Sequence, residues 1–279
     1  MFETEDQLKR KVVLQQFPPK RIVSLVPSIT ELLYDLGLQE EVIGITKFCV
    51  HPKDWFRSKT RVGGTKDINT AIVRSIKPDL IIANKEENVK EQVEALELFA
   101  PAWISDINTY EEALRMIKAV GELTGKDQKA TQVINQIHAA FETLPWLVSP
   151  TALIEPATCC YLIWRNPYMT VGGDTFISNM LRQCGFRNAF ENESRYPQVS
   201  LAAIASRRPQ IVLLSSEPYP FKEKHIDEIH LALPNARILL VDGEMFSWYG
   251  SRMLYAAQYF IELREKIFTV SADGNPNFC

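Results

Sequence analysis

The chain has 279 residues, 46% of them hydrophobic and 23% charged, which is the balance of a soluble folded protein with room for one large domain or two lobes. A net charge of -3 supplies no general attraction to nucleic acid or anionic lipid, and five cysteines at irregular spacings do not form a disulfide framework. No run approaches the ~20 apolar residues of a membrane span. Met1 to Arg10 is acidic, then basic, and does not read as a signal peptide. The chain as written is therefore expected in the cytoplasm, or in the periplasm or as a lipoprotein if a leader has been removed.

In chain order, Ile22 to Val26 is a short β-branched run that suits a strand covered on both faces. Pro27 is expected to end it, and Ser28 or Thr30 to cap a helix that carries Leu32, Leu33 and Leu36 and stops at Gly37. Strands follow at Val42 to Thr46, Leu80 to Ala83 and Trp103 to Ile104, with an amphipathic helix over Glu86 to Phe99. From Tyr110 to about Leu144 an apolar stripe (Leu114, Ile117, Val120, Leu123, Ala130, Val133, Ile137, Phe141) predicts one long helix, weakened at Gly121 and Gly125. Such a helix would be about 50 Å long, enough to bridge two lobes.

The second half repeats this style. It has strand material at Thr151 to Ile154, Cys159 to Trp164, Ile211 to Leu214 and Arg237 to Val241. Helices are predicted over Thr175 to Cys184, Leu201 to Ser206, Lys224 to Ala232 and Ser251 to Lys266, with a frayed tail from Thr269 to Cys279. Arg74 to Ala83 and Ala205 to Leu214 look like equivalent pieces of two lobes. Alternating strands and helices imply parallel sheets. The division expected is 1–108 for the first lobe, 109–147 for the linking helix and 148–279 for the second lobe.

Several stretches carry a resemblance. Arg21-Ile-Val-Ser-Leu-Val-Pro-Ser-Ile-Thr-Glu-Leu-Leu33, Val42-Ile-Gly-Ile-Thr46, Cys49-Val-His-Pro52, Arg61-Val-Gly-Gly-Thr65 and Ile76-Lys-Pro-Asp-Leu-Ile-Ile-Ala83 resemble class III substrate-binding proteins. These are the receptors of ABC importers for vitamin B12, haem and iron siderophores. Gly172-Gly-Asp-Thr-Phe-Ile177, Cys184-Gly-Phe-Arg-Asn188, Ser194-Arg-Tyr-Pro197 and Arg208-Pro-Gln-Ile-Val-Leu-Leu214 extend the likeness over roughly residues 20 to 265, nearer to the vitamin B12 receptors than to the siderophore receptors. The resemblance implies two Rossmann-like α/β lobes joined by a single long backbone helix. It also implies a monomeric solute receptor without catalysis, and a metal chelate (cobalamin or another corrinoid, haem, or a siderophore-like complex) as ligand. A permease would be the partner, docked through acidic residues near Glu86, Glu87 and Glu91. The vitamin B12 receptors line their cleft with aromatic side chains. At the equivalent positions this chain has Lys66, Asn84, Met169 and Met245, and His51 stands where a tyrosine is expected.

Open α/β sheets bind ligands at the carboxyl ends of their strands. That rule marks Ser28, His51 and Glu86 in the first half, to which the resemblance adds Lys66 and Asn84. In the second half the same rule marks Trp164, Tyr168, Met245, Phe246, Trp248 and Tyr249, the aromatic members of which suit a flat ring. Cys49 and His51 are also candidate metal ligands. They keep a second reading open, that of a cytoplasmic metal-binding protein or metalloenzyme with Glu86 as a further ligand. No phosphate loop or nucleophile elbow is present.

Overall fold

A computed structural model describes residues 1–148 and 156–268. The strand expected at 151–154 and the tail at 269–279 lie outside the described residues. The chain forms two compact units, one of residues 1–107, 111–137 and 249–252, the other of 108–110, 138–248 and 253–279. Among the described residues no helix is long and apolar enough to cross a membrane.

The first unit opens with an antiparallel hairpin, β1 (Phe2–Glu5) and β2 (Lys11–Leu14). Alternating polar residues hide it from a reading based on apolar runs. Then follow β3 (Ile22–Ser24), α1 (Pro27–Asp35), β4 (Val42–Ile45), α2 (Lys53–Ser58), β5 (Thr60–Arg61), α3 (Thr70–Ser75), β6 (Leu80–Asn84), α4 (Lys90–Glu97) and β7 (Ala102–Ser105). The five strands β3 to β7 make a wholly parallel sheet in the order β5-β4-β3-β6-β7. β3 and β6 are buried at every residue, as strands with helices on both faces should be. Pro27 does not end a strand; it opens α1, where its fixed φ and missing N–H fit the first helical position.

The helical connection is split into α5 (Tyr110–Thr124) and α6 (Asp127–Glu142), followed by α7 (Pro145–Val148). This corrects the uninterrupted helix expected over Tyr110 to Leu144. Gly125 takes φ +69°, and the Lys126 N–H closes onto the Gly121 carbonyl at 2.7 Å. A Cβ on Gly121 would sit 2.3 Å from Cβ of Ala130. In one straight helix those residues would be about 13 Å apart along the axis, so the chain turns sharply here. The apolar stripe resumes at helical spacing beyond the turn, which is why periodicity alone reads it as continuous. The two units meet along the chain inside α6, between Ile137 and His138.

The second unit contains β8 (Ala157–Trp164), β9 (Tyr168–Thr170), α8 (Phe176–Gln183), β10 (Phe186–Asn188), β11 (Gln198–Val199), α9 (Leu201–Ser206), β12 (Ile211–Ser215), α10 (Glu223–Ala232), β13 (Arg237–Val241), α11 (Glu244–Ser247) and α12 (Met253–Phe268). Its sheet runs β11-β9-β8-β12-β13, with β10 beside β8. β8, β10, β12 and β13 pair in parallel, whereas β9 and β11 are antiparallel additions. Only 165–167 separate β8 from β9, too few residues for a crossover, so the chain must return antiparallel.

The two pieces read as equivalent do share a geometry. Lys77 and Arg208 have φ of +46° and +48°, and each precedes a proline and then a strand. In each, the next residue clamps the start of the neighbouring strand. Asp79 accepts the Lys20 and Arg21 N–H groups at 2.8 and 2.9 Å, and Gln210 accepts that of Thr158 at 3.0 Å.

Candidate functional site

In each unit the parallel strands end on one edge, and the loops leaving that edge carry the candidate residues. In the first unit these are the turns after β3, β4, β6 and β7. α1 starts without a side-chain cap; its N-cap is Val26. Ser28 is buried, and its hydroxyl has no hydrogen-bond partner among the described residues. Thr30 does not cap the helix either. Its hydroxyl donates to the Val26 carbonyl and to Ser24 Oγ, both at 2.8 Å.

The loop after β4 alternates. Lys47 and Phe48 point outward, with the ammonium 5.2 Å from the ring centre and Phe48 51% exposed. Cys49 points inward, fully buried, with Thr30 and Thr46 hydroxyls each 3.1 Å from its sulfur. Burial pushes the Cys49 thiol up to about 11, the hydroxyl contacts pulling only partly back. Cys49 is therefore corrected from candidate metal ligand to packed thiol, since a ligand must be an accessible thiolate. His51 is half-buried on the same loop, followed by a cis bond to Pro52. Among the described residues no group of three His, Cys, Asp or Glu converges as a metal site would require.

Asn84 is also corrected. Its amide donates to Ser105 Oγ and the Ser105 carbonyl at 3.0 and 3.2 Å, and its Oδ1 accepts the Glu86 and Glu87 N–H groups at 2.8 and 3.0 Å. All its capacity is spent holding the turn. Asn88, which was not singled out in the sequence, completes the stitch. It accepts the Asn84 N–H at 2.8 Å and donates to the Leu25 and Thr65 carbonyls at 3.3 and 3.0 Å. This turn delays α4 to Lys90, later than the helix start expected at Glu86. Lys66, exposed, donates to the Glu86 carbonyl. Lys85 pairs with Asp106 at 2.7 Å.

Residues 249–252 belong to this unit. Tyr249 is buried and donates to Glu87 at 3.0 Å, and Arg252 grips Glu31 with two bonds at 2.5 and 2.8 Å. The signal for this pair is not local, since its members are 221 positions apart.

On the second unit's edge Trp164 ends β8 and is 39% exposed, edge-on to Tyr219 at 5.8 Å. Tyr168 is half-buried and donates to Glu228 at 2.6 Å, beside a two-point bond from Arg165 to the same carboxylate. Hydrogen bonds from Arg165 and then Tyr168 draw the Glu228 carboxyl below its usual value. Met245 is half-buried at the start of α11. Phe246 is corrected: it is fully buried, packed on Tyr161 and Phe260 at 5.2 and 4.9 Å between ring centres, and belongs to the core. Trp248 is mostly buried, its indole N–H donating to Glu217 at 2.9 Å. Glu217, not singled out in the sequence, follows β12 as Glu86 follows β6.

His225 is buried, and its Nδ1 accepts the Lys222 N–H at 2.8 Å at the start of α10. The histidines do not gather around His51.

The chain is similar to known proteins. The chain is 27% identical over 277 residues to an uncharacterized ABC transporter substrate-binding lipoprotein of Bacillus subtilis, covering 95% of this chain and 85% of that one. It is 27% identical over 242 residues to a vitamin B12-binding protein of Photorhabdus laumondii, covering 86% of each. A periplasmic haem-binding protein of Pseudomonas aeruginosa has the same fold, with a TM-score of 0.74 at 18% identity over 87% of this chain and 91% of that one. The model of the periplasmic binding protein family matches residues 22–231. With that match across two α/β units whose strands end on loop-rich edges, this chain belongs to the periplasmic binding protein family.

Proposed function

We propose that this chain is the solute receptor of an ABC import system and that its ligand is a metal chelate with a broad apolar face, a corrinoid or haem-like ring. The observation that carries this reading is an exposed aromatic ring on the strand-end edge of each unit taken by itself, Trp164 at the end of β8 in the second and Phe48 in the loop after β4 in the first. An aromatic side chain left partly open at the ligand-binding edge of an α/β sheet offers an apolar face to a flat ligand. Family membership supports the transport role, and the relatives' printed ligands support the chelate class. Ser28, His51, Lys66, Glu86, Tyr168, Met245, Trp248 and Tyr249 supply the polar and apolar surroundings of the edges.

The receptor acts as a monomer and docks on its permease through the acidic stretch Glu86, Glu87 and Glu91, of which Glu91 is fully on the surface of α4. It works outside the cytoplasm; the name of the Bacillus subtilis relative as a lipoprotein supports this over a cytoplasmic location. The metalloenzyme reading is not kept, because Cys49 is buried among hydroxyls.

The test is titration of cyanocobalamin and hemin into the purified chain, followed by absorption and tryptophan fluorescence. Saturable one-to-one binding of either chelate with quenching is expected. Absence of saturable binding for both, and for a ferric siderophore, overturns the proposal.

A further inference from the structure

Glu217 is a feature of the second unit's edge that packing does not explain. It stands two residues beyond β12 on a turn that buried groups hold rigidly. Ser215 Oγ takes the Tyr161 hydroxyl at 3.1 Å and donates to the Glu217 carbonyl at 2.6 Å. Gly243 closes over this turn: a Cβ there would lie 2.3 Å from Ser215 Oγ and 2.7 Å from Glu217 Cγ.

The carboxylate itself is used on one side only. Its Oε1 accepts Ser247 Oγ at 2.6 Å and the Trp248 indole N–H at 2.9 Å. Its Oε2 accepts nothing, and no lysine, arginine or histidine pairs with it, among the described residues. Its charged neighbours are Asp242 and Glu244, of the same sign. Burial, then those two carboxylates, raise the Glu217 carboxyl above its usual value, against the pull of Ser247 and Trp248. A partly buried carboxylate with one oxygen oriented by two donors and the other open calls for a donor from outside the fold. A second carboxylate brought to the same place would meet like charge from Glu217 and from its neighbour Asp242.

We infer that Glu217 is a specificity-determining residue, which accepts a hydrogen bond from an N–H donor on the ligand and disfavours ligands that present a carboxylate there. This inference rests on the chelate-receptor reading and deepens it. Among metal chelates it selects rings whose periphery carries primary amides over rings whose periphery carries propionates.

The experiment compares cyanocobalamin with its derivative in which one peripheral amide is hydrolysed to a carboxylate, and both with hemin. Calorimetry is run on the wild-type chain and on Glu217→Gln. The Gln oxygen keeps the acceptor for Ser247 and Trp248, so the fold should persist. The wild type should prefer the amide ligand, and the preference should shrink about tenfold or more in Glu217→Gln, the size expected for a hydrogen bond to a charged group. The ligand pair also reads the wild type without any mutation. If the wild type binds the carboxylate derivative or hemin as well as cyanocobalamin, or if Glu217→Gln leaves the ratio unchanged, Glu217 only positions Trp248 and the inference is overturned while the receptor reading stands. If the wild type binds no chelate, both fall together.

Discussion

The ligand edges of the two units are built on the same strand-turn-helix plan and spend their polar groups in opposite ways. On the first, the polar side chains turn inward and satisfy one another: Ser24 with Thr30, Thr46 with Cys49, Asn84 with Ser105 and Asn88. What faces out is Lys47, Phe48 and Lys66. On the second, the hydrogen-bond donors Ser247 and Trp248 converge on a single acid, Glu217, which has Asp242 and Glu244 as like-charged neighbours. The first edge is stitched by hydrogen bonds that leave only the Ser28 hydroxyl without a described partner; the second keeps an acceptor, Glu217 Oε2, that no described residue uses. A buried polar network that is fully satisfied stabilises a loop, whereas an incompletely used one is available for recognition.

This contrast can be broken by substitution. The largest expected effect is Phe246→Ala, which empties a fully buried ring site in the second unit and should cost about 3–5 kcal/mol in denaturant unfolding. A loss below about 1 kcal/mol would return Phe246 to the ligand edge. Next is Asn84→Ala. It strands the Glu86 and Glu87 N–H groups and Ser105, and about 2–3 kcal/mol of stability should go with them. Were Asn84→Ala instead neutral in stability and severe in ligand affinity, the closed-network picture of the first edge would be wrong.

Trp164→Ala should do the reverse. Stability changes little, because the ring is 39% exposed, while chelate affinity falls by about 1–3 kcal/mol for the lost apolar contact. Equal affinity in Trp164→Ala and wild type would leave Trp164 a packing residue beside Tyr219.

The thiols sharpen the same comparison chemically. With the Cys49 thiol pushed up to about 11 and Cys159, Cys160 and Cys184 also buried, none should react with a colorimetric disulfide reagent at pH 8 until denaturant is added. Rapid labelling of Cys49 in the folded chain would show that its loop opens.

The smallest effect is on pH dependence. Because the folded Glu217 carboxyl is raised, its protonated form contributes stability at low pH that is lost as pH rises through the folded value. Glu217→Gln, which never ionises, should therefore be slightly more stable than wild type at neutral pH, with the gap closing on acidification. A gap that widens on acidification would mean that Glu217 is stabilised as an anion and that a cation not identified here faces it.

Much of this molecule could be read from the sequence. β12, β13 and α9 were expected within a residue of their limits, because continuous β-branched runs and a Ser cap with Ala spacing leave little choice. The helix expected over Thr175 to Cys184 is α8, with Thr175 as its N-cap in place of its first residue and Gly185 after its end at φ +78°. The turn repeated at Lys77-Pro78 and Arg208-Pro209 was visible as a pattern before its geometry was known. Local sequence also placed the candidate loops on strand ends, since chain direction in a parallel sheet puts every such loop on one edge.

Tertiary structure alone decided which side chains on those loops face out. Cys49 and Phe48 are neighbours in one loop, and nothing in their order says that the thiol packs inward against Thr30 while the ring stays exposed. Phe246 and Trp164 are both aromatics at strand ends, and only the position of α12 makes the first core and leaves the second open. The turn at Gly125 required the close approach of Gly121 to Ala130, which a helical period cannot encode. Periodicity and capping act over a few residues and so determine elements. Orientation at a site depends on partners tens to hundreds of residues away, as Arg252 on Glu31 does, and is fixed only when the chain has packed.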